Sequence, residues 1–494
     1  MSAPATHAPA ALARRACPIA IAFLCACGGA KNDASDDAAT ARDAISDDGG
    51  LRDDGSPPPP PPIDGAVPTP PPPPPGDGAV PPPPPPPPTP PPVPPPPPPT
   101  GCAPLPAPTG TVVRVTPDRA DELPSIVYDA APGTTIVLED GTYPVSGGLP
   151  LHFRNPGVTL RSASDRAASV VLDAEYVNDE IAYVDSSDVT LAHVTFTRAV
   201  NHLVHVTPGM GTPVTGVRLY GLELLDGGEQ FVKINPNGDR SAFADDGRVE
   251  CSFFRMTDAG RPHVERNPGG CYTGGIDAHA ARGWVVRWNR FEDIYCAGEG
   301  LAEHAIHFWV QSRDTVVENN VVLGCARGIG FGLIETDDRI RPWPDDPFPG
   351  VGYIGHFGGV IRNNVVWADH PYFDTGIELA QARGIRVLHN TVVHGPGATG
   401  AFSSIDYRFA NTDVELRNNL VTRITSRNGA MGTVSTNLEA TPLAYFTDAS
   451  GGDFHLEAGA TEAIDRAETV ADPGVDLDGA PRPATGADLG ADER

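Results

Sequence analysis

The sequence predicts an all-β solenoid, short strands stacked rung upon rung, preceded by an export signal and a long linker that forms no core. Three observations carry this expectation. From about residue 110 the chain is a succession of short apolar runs broken by Gly, Asn and Asp, without a sustained helical period. Within that region one unit, apolar-x-apolar-x-x-Asn-x-apolar, returns about every thirty residues. Ahead of it, residues 57–99 are almost entirely proline, a composition that extends as polyproline II instead of packing.

Taken in order, the chain opens on Arg14 and Arg15 before the apolar run "ACPIAIAFL". That run is too short to span a bilayer as a helix and reads as a signal segment. It ends in Leu24-Cys25-Ala26-Cys27 followed by two glycines, which resembles a bacterial lipobox with Cys27 as the lipidated first residue of the mature chain. The implied location is the bacterial cell envelope, lipid-anchored to the outer membrane or cell surface. Residues 28–56 are small and acidic, and the prolines that follow make a semi-rigid spacer on the order of 100 Å long. The expected division is therefore 1–27 signal, 28–109 disordered linker and 110–494 solenoid. The formal net charge of −28 argues against nucleic acid as a partner. A membrane is expected as a partner only through the anchor, and the folded chain is expected to be a monomer.

The repeat is clearest in "WVVRWNRF", "TVVENNVV", "GVIRNNVV", "IRVLHNTVV" and "VELRNNLV". Aligned on their Asn, these place Asn289, Asn320, Asn364, Asn390 and Asn419 at intervals of 31, 44, 26 and 29 residues. Each Asn is expected in a tight turn, tolerating left-handed geometry and bonding through its amide to the same Asn one rung away. A β-propeller would need a blade repeat that the chain lacks.

Together with "GTTIVLEDGTYPVSGGLPL" (133–151) as an opening coil, "VTLRSASDRAASVVLDA" as a second and "FHLEAGATEAIDRAE" as a terminal one, the repeat resembles the right-handed parallel β-helix proteins of the pectate-lyase-like and chondroitinase-B-like superfamily. The resemblance covers roughly 110–494. It implies action on a polysaccharide, most often by β-elimination, and in some members a Ca²⁺. The fold alone also hosts hydrolases and plain adhesins. If Asn289 and Asn320 are equivalent positions on neighbouring coils, a Cys296–Cys325 disulfide follows, with Cys251–Cys271 as a second pair.

Alternation along the strands then assigns faces. With apolar residues inward, "VHVT", "VKIN", "IDAH", "IHFW", "IGFG", "IELA" and "IDYR" stack one outward column of His205, Lys233, Asp277, His307, Gly330, Glu378 and Asp406. Beside it runs a second column of Thr207, Asn235, His279, Trp309, Gly332, Ala380 and Arg408. Three insertions, 235–247, 256–273 and 335–355, should wall this face into a cleft.

For β-elimination, Lys233 is the candidate base, His279 or His307 the acid, and Asp277, with the more distant Glu378, a Ca²⁺ holder. His205, Asn235, Trp309, Trp343 and Glu378 are candidate substrate contacts, the two indoles as sugar-stacking platforms. Asp277, His279 and His307 offer an alternative set of transition-metal ligands. The rival chemistry is an inverting glycoside hydrolase using Asp277 and Glu303, with Glu303 and His304 placed in a loop. The third alternative is a stalked, non-catalytic glycan-binding protein. Asp406 and Arg408 read as a simple surface pair.

Overall fold

A computed structural model describes residues 102–494, apart from 210, 266–269, 299 and 334–340. Cys27, the signal segment and the linker up to residue 101 lie outside the described residues. Three parallel sheets run along the solenoid, and successive coils contribute strands to each in turn. The first coil supplies Thr135–Leu138, Gly141–Pro144 and Leu151–Phe153; the second supplies Thr159–Ser162, Val170–Asp173 and Glu180–Val184. These are the two segments read from sequence as opening coils. The architecture is a right-handed parallel β-helix, the hand that parallel crossovers favour.

Each inward column is a continuous apolar stack. In one sheet Leu160, Leu191, Leu219, Val249, Val286, Val317, Ile361 and Val387 follow one another in register, all fully buried. In another, Phe254 and Phe291 stack with ring centroids 4.3 Å apart. A coil this narrow cannot bury its own face, so each rung depends on its neighbours for a core.

The Asn ladder forms. The side-chain amide of Asn289 donates to Oδ1 of Asn320 at 3.0 Å, and the same bond links Asn320 to Asn364, Asn364 to Asn390 and Asn390 to Asn419. It continues to Asn437, beyond the recognised repeat, at 2.8 Å. The left-handed geometry falls one residue earlier than expected. Trp288, Asn319, Asn363, His389 and Asn418 have φ between 53° and 58°, while the ladder Asn do not. The turn residue bends the chain, and its successor points inward where its amide replaces missing ladder bonds.

Both flanks of the solenoid depart from the sequence reading. Residues 102–109, assigned to the linker's end, include Cys102, which is disulfide-bonded to Cys251, and Pro106, whose carbonyl accepts from Arg161 at 2.7 Å. The terminal segment is not another coil. Phe446–Asp448 and Asp453–Leu456 pair antiparallel. Phe446, Phe454 and Leu456 pack with Trp367, Val393 and Leu420 in a separate buried cluster. Those three come from consecutive strands of one sheet, which are too apolar to face water.

The cysteine expectation is overturned. The disulfides are Cys102–Cys251 and Cys271–Cys296, and Cys325 is a buried free thiol. Cys325 lies in the main apolar core, whereas Cys271 reaches Cys296 from the 256–273 insertion. Equivalence of ladder Asn says nothing about a partner carried on an insertion. Among the described residues, no helix is long and apolar enough to cross a membrane.

Candidate functional site

The face read from sequence belongs to the sheet containing strands His202–Val206, Gln230–Ile234, Gly274–His279, His304–Trp309, Arg327–Phe331, Thr375–Ala380 and Ser403–Arg408. Its register pairs His205 with Lys233, Lys233 with Asp277, Asp277 with His307, His307 with Gly330, Gly330 with Glu378, and Glu378 with Asp406. The predicted column is therefore the observed one. His279 pairs with Trp309, and Ala380 with Arg408, as the second column requires.

Exposure differs from expectation. Lys233, Asp277, His279, His307, Trp309, Glu378 and Arg408 are all buried. The side chains enclose one another across rungs: Lys233 meets Asp277 and His279, Trp309 meets His279 and His307, and Glu378 meets His304 and Arg408. Cys271–Cys296 ties the 256–273 insertion to the connection after Arg290–Glu292, and Arg341 binds Asp245 at 2.7 Å, joining the 335–355 and 235–247 insertions. The site is thus a buried charged floor with a partly exposed rim of His205, Glu180, Glu229, Asn235, Tyr272 and Glu303.

On the floor, Lys233 Nζ donates to Asp277 Oδ2 and lies 3.4 Å from His279 Nε2. His279 Nε2 is 3.1 Å from the same carboxylate oxygen. The Trp309 indole donates to Asp277 Oδ1 at 2.7 Å. Burial alone would raise the Asp277 carboxyl, but the Lys233 ammonium, followed by His279 and His307, holds it well below the usual range. Three rungs along, Arg408 donates to Glu378 Oε1, and His304 Nε2 sits 3.2 Å from Oε2. Burial raises Glu378 as well; Arg408, His304 and Arg327 outweigh it and leave the carboxyl well below normal.

These contacts correct several assignments. Asp277 and Glu378 are separated by three rungs, roughly 14 Å at the usual strand spacing. Each is neutralised by its own cations, so the two do not share a Ca²⁺. Trp309 is 6% exposed, with its ring stacked on His307 and edge-on to His279; it is a packing element and not an open sugar platform. Trp343 donates to the Gln311 carbonyl at 3.0 Å and is surrounded by Arg282, Arg313 and Arg341, away from the floor. Asp406 pairs with Arg427 at 3.0 Å, and Arg408 with Glu378, so they are not a pair with each other. His304 begins a strand and does not lie in a loop.

Sequence reasoning missed a third outward column: Glu180, His202, Gln230, Gly274, His304 and Arg327. It lies three residues ahead of the first column, not two. The residues between, such as Leu203–Val204, Phe231–Val232 and Ala305–Ile306, both enter the core, and strict alternation hides the residue before them. Glu180 accepts from His205 Nδ1 at 2.5 Å. His304 occupies the space over Gly330, where a Cβ would stand 2.8 Å from the imidazole. Among the described residues, the amide atoms of buried Gln230 have no hydrogen-bond partner. Tyr272 was missed as well. Burial pushes its hydroxyl up to about 12, and after burial the largest effects on it come from the charges of Lys233, Asp277 and Glu303.

A cavity of about 630 Å³ opens elsewhere, between Cys102–Pro104, Tyr220, Phe253 and Trp288. It shares no residue with this face and lacks a comparable ionic network.

No protein-family model matches the chain, and no curated protein does. Among solved structures, a pectate lyase superposes with a TM-score of 0.51 at 16% identity, over 78% of this chain and 97% of its own. An alginate lyase from a Paenibacillus strain gives 0.44 at 17% identity, over 66% and 99%. A rhamnogalacturonan lyase gives 0.45 at 12%, over 76% and 96%. The pectate lyase likeness shows the fold, a right-handed parallel β-helix, and the fold alone.

Proposed function

We propose that this chain is an exported, envelope-anchored protein that cleaves an acidic polysaccharide by β-elimination at the face around Lys233. The observation that carries the reading is the company Lys233 keeps. A fixed cation lies in register beside His205, whose Nδ1 is oriented by Glu180, and acts on Tyr272, a hydroxyl that stays protonated.

β-Elimination needs a base for the proton α to the uronate carboxyl, a cation for the enolate-like intermediate and an acid for the leaving oxygen. Lys233 is a poor base while Nζ donates to Asp277; it suits the cation's role instead. His205 suits the base: it is on the rim, and with Nδ1 donating to Glu180 its Nε2 is the proton acceptor. Nε2 lies 3.5 Å from the Asn235 amide. Tyr272 suits the acid. The C–H proton passes to His205, the β C–O bond breaks as the double bond forms, and the leaving oxygen takes the tyrosine proton. His279 serves as a floor group, its Nε2 3.1 Å from Asp277 Oδ2.

A hydrolase is less well supported, because Asp277 accepts on both oxygens and is held ionised, which unsuits it for acid catalysis. Two disulfides fit an oxidising, extracytoplasmic location. The full chain should be incubated with a panel of uronate-containing and neutral polysaccharides, following unsaturated-uronate absorbance and new reducing ends together. Both rising supports the lyase. Reducing ends alone transfer the assignment to a hydrolase, and binding without either signal to a glycan-binding module.

A further inference from the structure

Two buried imidazoles on the strand His304–Trp309 direct bare nitrogens at one point. His304 Nε2 is engaged by Glu378 at 3.2 Å, and His307 Nε2 donates to the Gly332 carbonyl at 3.1 Å. Each contact places the ring proton on Nε2 and leaves a lone pair on Nδ1. Both Nδ1 atoms are buried and, among the described residues, lack a hydrogen-bond partner. An unpaired buried acceptor costs about 1–3 kcal/mol, and here two stand three residues apart on one strand beside the same carboxylate.

The spot has a third donor. Glu303 Oε2 lies 4.0 Å from His304 Nδ1 and 3.8 Å from His307 Nδ1, and the three donor atoms all fall within 4.8 Å of one another. Asp277 Oδ1 is 3.7 Å from His307 Nδ1 on the other side. Bonds of about 2.0–2.1 Å to zinc require donors roughly 3.3 Å apart in a tetrahedron. The partly exposed Glu303 carboxylate would reach that spacing from both nitrogens by moving in about 0.5–0.7 Å. Histidines that metals use characteristically give their other N–H to a carboxylate or a backbone carbonyl, and here one does each.

We propose that Glu303, His304 and His307 form a binding site for a divalent transition ion, zinc or a close relative, with an open position toward the rim. Two nitrogens and one carboxylate favour such an ion over Ca²⁺, which takes six to eight oxygens. The site goes beyond the lyase reading and does not depend on it, because a bound ion there is detectable whether or not the chain cleaves a glycan. A second cluster of His455, Asp478 and Asp492 has comparable spacing. Its imidazole already contacts Asp453 through Nδ1 and Asp478 through Nε2, which leaves no nitrogen lone pair clearly directed at an ion.

The test uses the full chain, stripped with a chelator, titrated with Zn²⁺ by calorimetry and with Co²⁺ by visible absorption. The proposal expects one equivalent bound, a cobalt spectrum of low coordination number, and at least a tenfold preference for Zn²⁺ over Ca²⁺. Glu303→Gln, at the exposed edge, should weaken binding by about tenfold or more while the melting curve shows an intact fold; His307→Ala should abolish it. His455→Ala should leave it unchanged. No binding to the folded chain, binding that survives both site variants, loss in His455→Ala, or Ca²⁺ bound as tightly as Zn²⁺ would each overturn the assignment.

Discussion

Lys233 and Asp277 stand on adjacent rungs as a buried ion pair, their side chains 7% and 4% exposed, with His279 and Trp309 closing the remaining sides of the carboxylate. A pair so enclosed is expensive to break on one side only. Lys233→Met should destabilise the chain by about 3–5 kcal/mol, because a desolvated carboxylate loses its cation. The double variant Lys233→Met/Asp277→Leu should recover most of that loss. Denaturant melts of the two single variants and the double one measure this directly.

The Asn ladder predicts a different kind of loss. Asn364→Ala removes the acceptor for both the backbone N–H and the side-chain amide of Asn320, and the donor for Val317 and Asn390. With several buried groups left unsatisfied, a cost of about 3 kcal/mol is expected. Asn437→Ala, at the ladder's partly exposed end, should cost less than half of that. Equal losses in matched urea melts would contradict the ladder account.

These two relationships differ in how far they can be read from sequence. The Asn spacing and the column from His205 to Asp406 follow from period-two alternation and a recurring turn, both local properties of the chain. The depth of the floor is not local. Lys233 and Trp309 look exposed when strands are considered alone, and become buried against side chains of other rungs, Lys233 against Asp277 and His279 and Trp309 against His279, His307 and Leu333. His304 is hidden for a third reason: Ala305 and Ile306 both enter the core, which breaks the alternation that would expose it. Disulfide partners were illegible because Cys271 is carried on an insertion.

Buried neutral histidines should set the acid limit of stability. His202, His304, His356 and His389 are each pushed from 6.5 to about 3, by burial first. Below pH 6.5 the unfolded chain binds protons that the folded chain refuses. Stability should therefore fall by about 1.4 kcal/mol per pH unit for each such histidine as pH drops from 6.5 toward 3. Asp277 and Glu378, with lowered values, act in a lower window: their contribution is intact above about 4 and is lost below it. Melts between pH 7.5 and 4.5 should show a steep loss, and a flat profile would contradict the buried-neutral assignment.

Gly330 should be intolerant of a side chain for a stated reason. A Cβ there meets the His304 ring at 2.8 Å, so Gly330→Ala must displace the imidazole or the strand. A cost of about 1–3 kcal/mol is expected, along with weakened metal binding at Glu303, His304 and His307. Gly332→Ala is a poor control, since its φ of 72° strains any side chain. Gly238→Ala, with nothing within 4 Å of the added atom, should be silent in both melts and metal titration.

The most direct test of the account is the rate of unsaturated-uronate formation by the full chain and by His205→Ala, Tyr272→Phe and Lys233→Met/Asp277→Leu, on whichever acidic polysaccharide the panel identifies. The account predicts losses of at least about a hundredfold in all three, with melting curves of the first two unchanged. Full activity in His205→Ala and Tyr272→Phe would contradict it and move the chemistry away from this face.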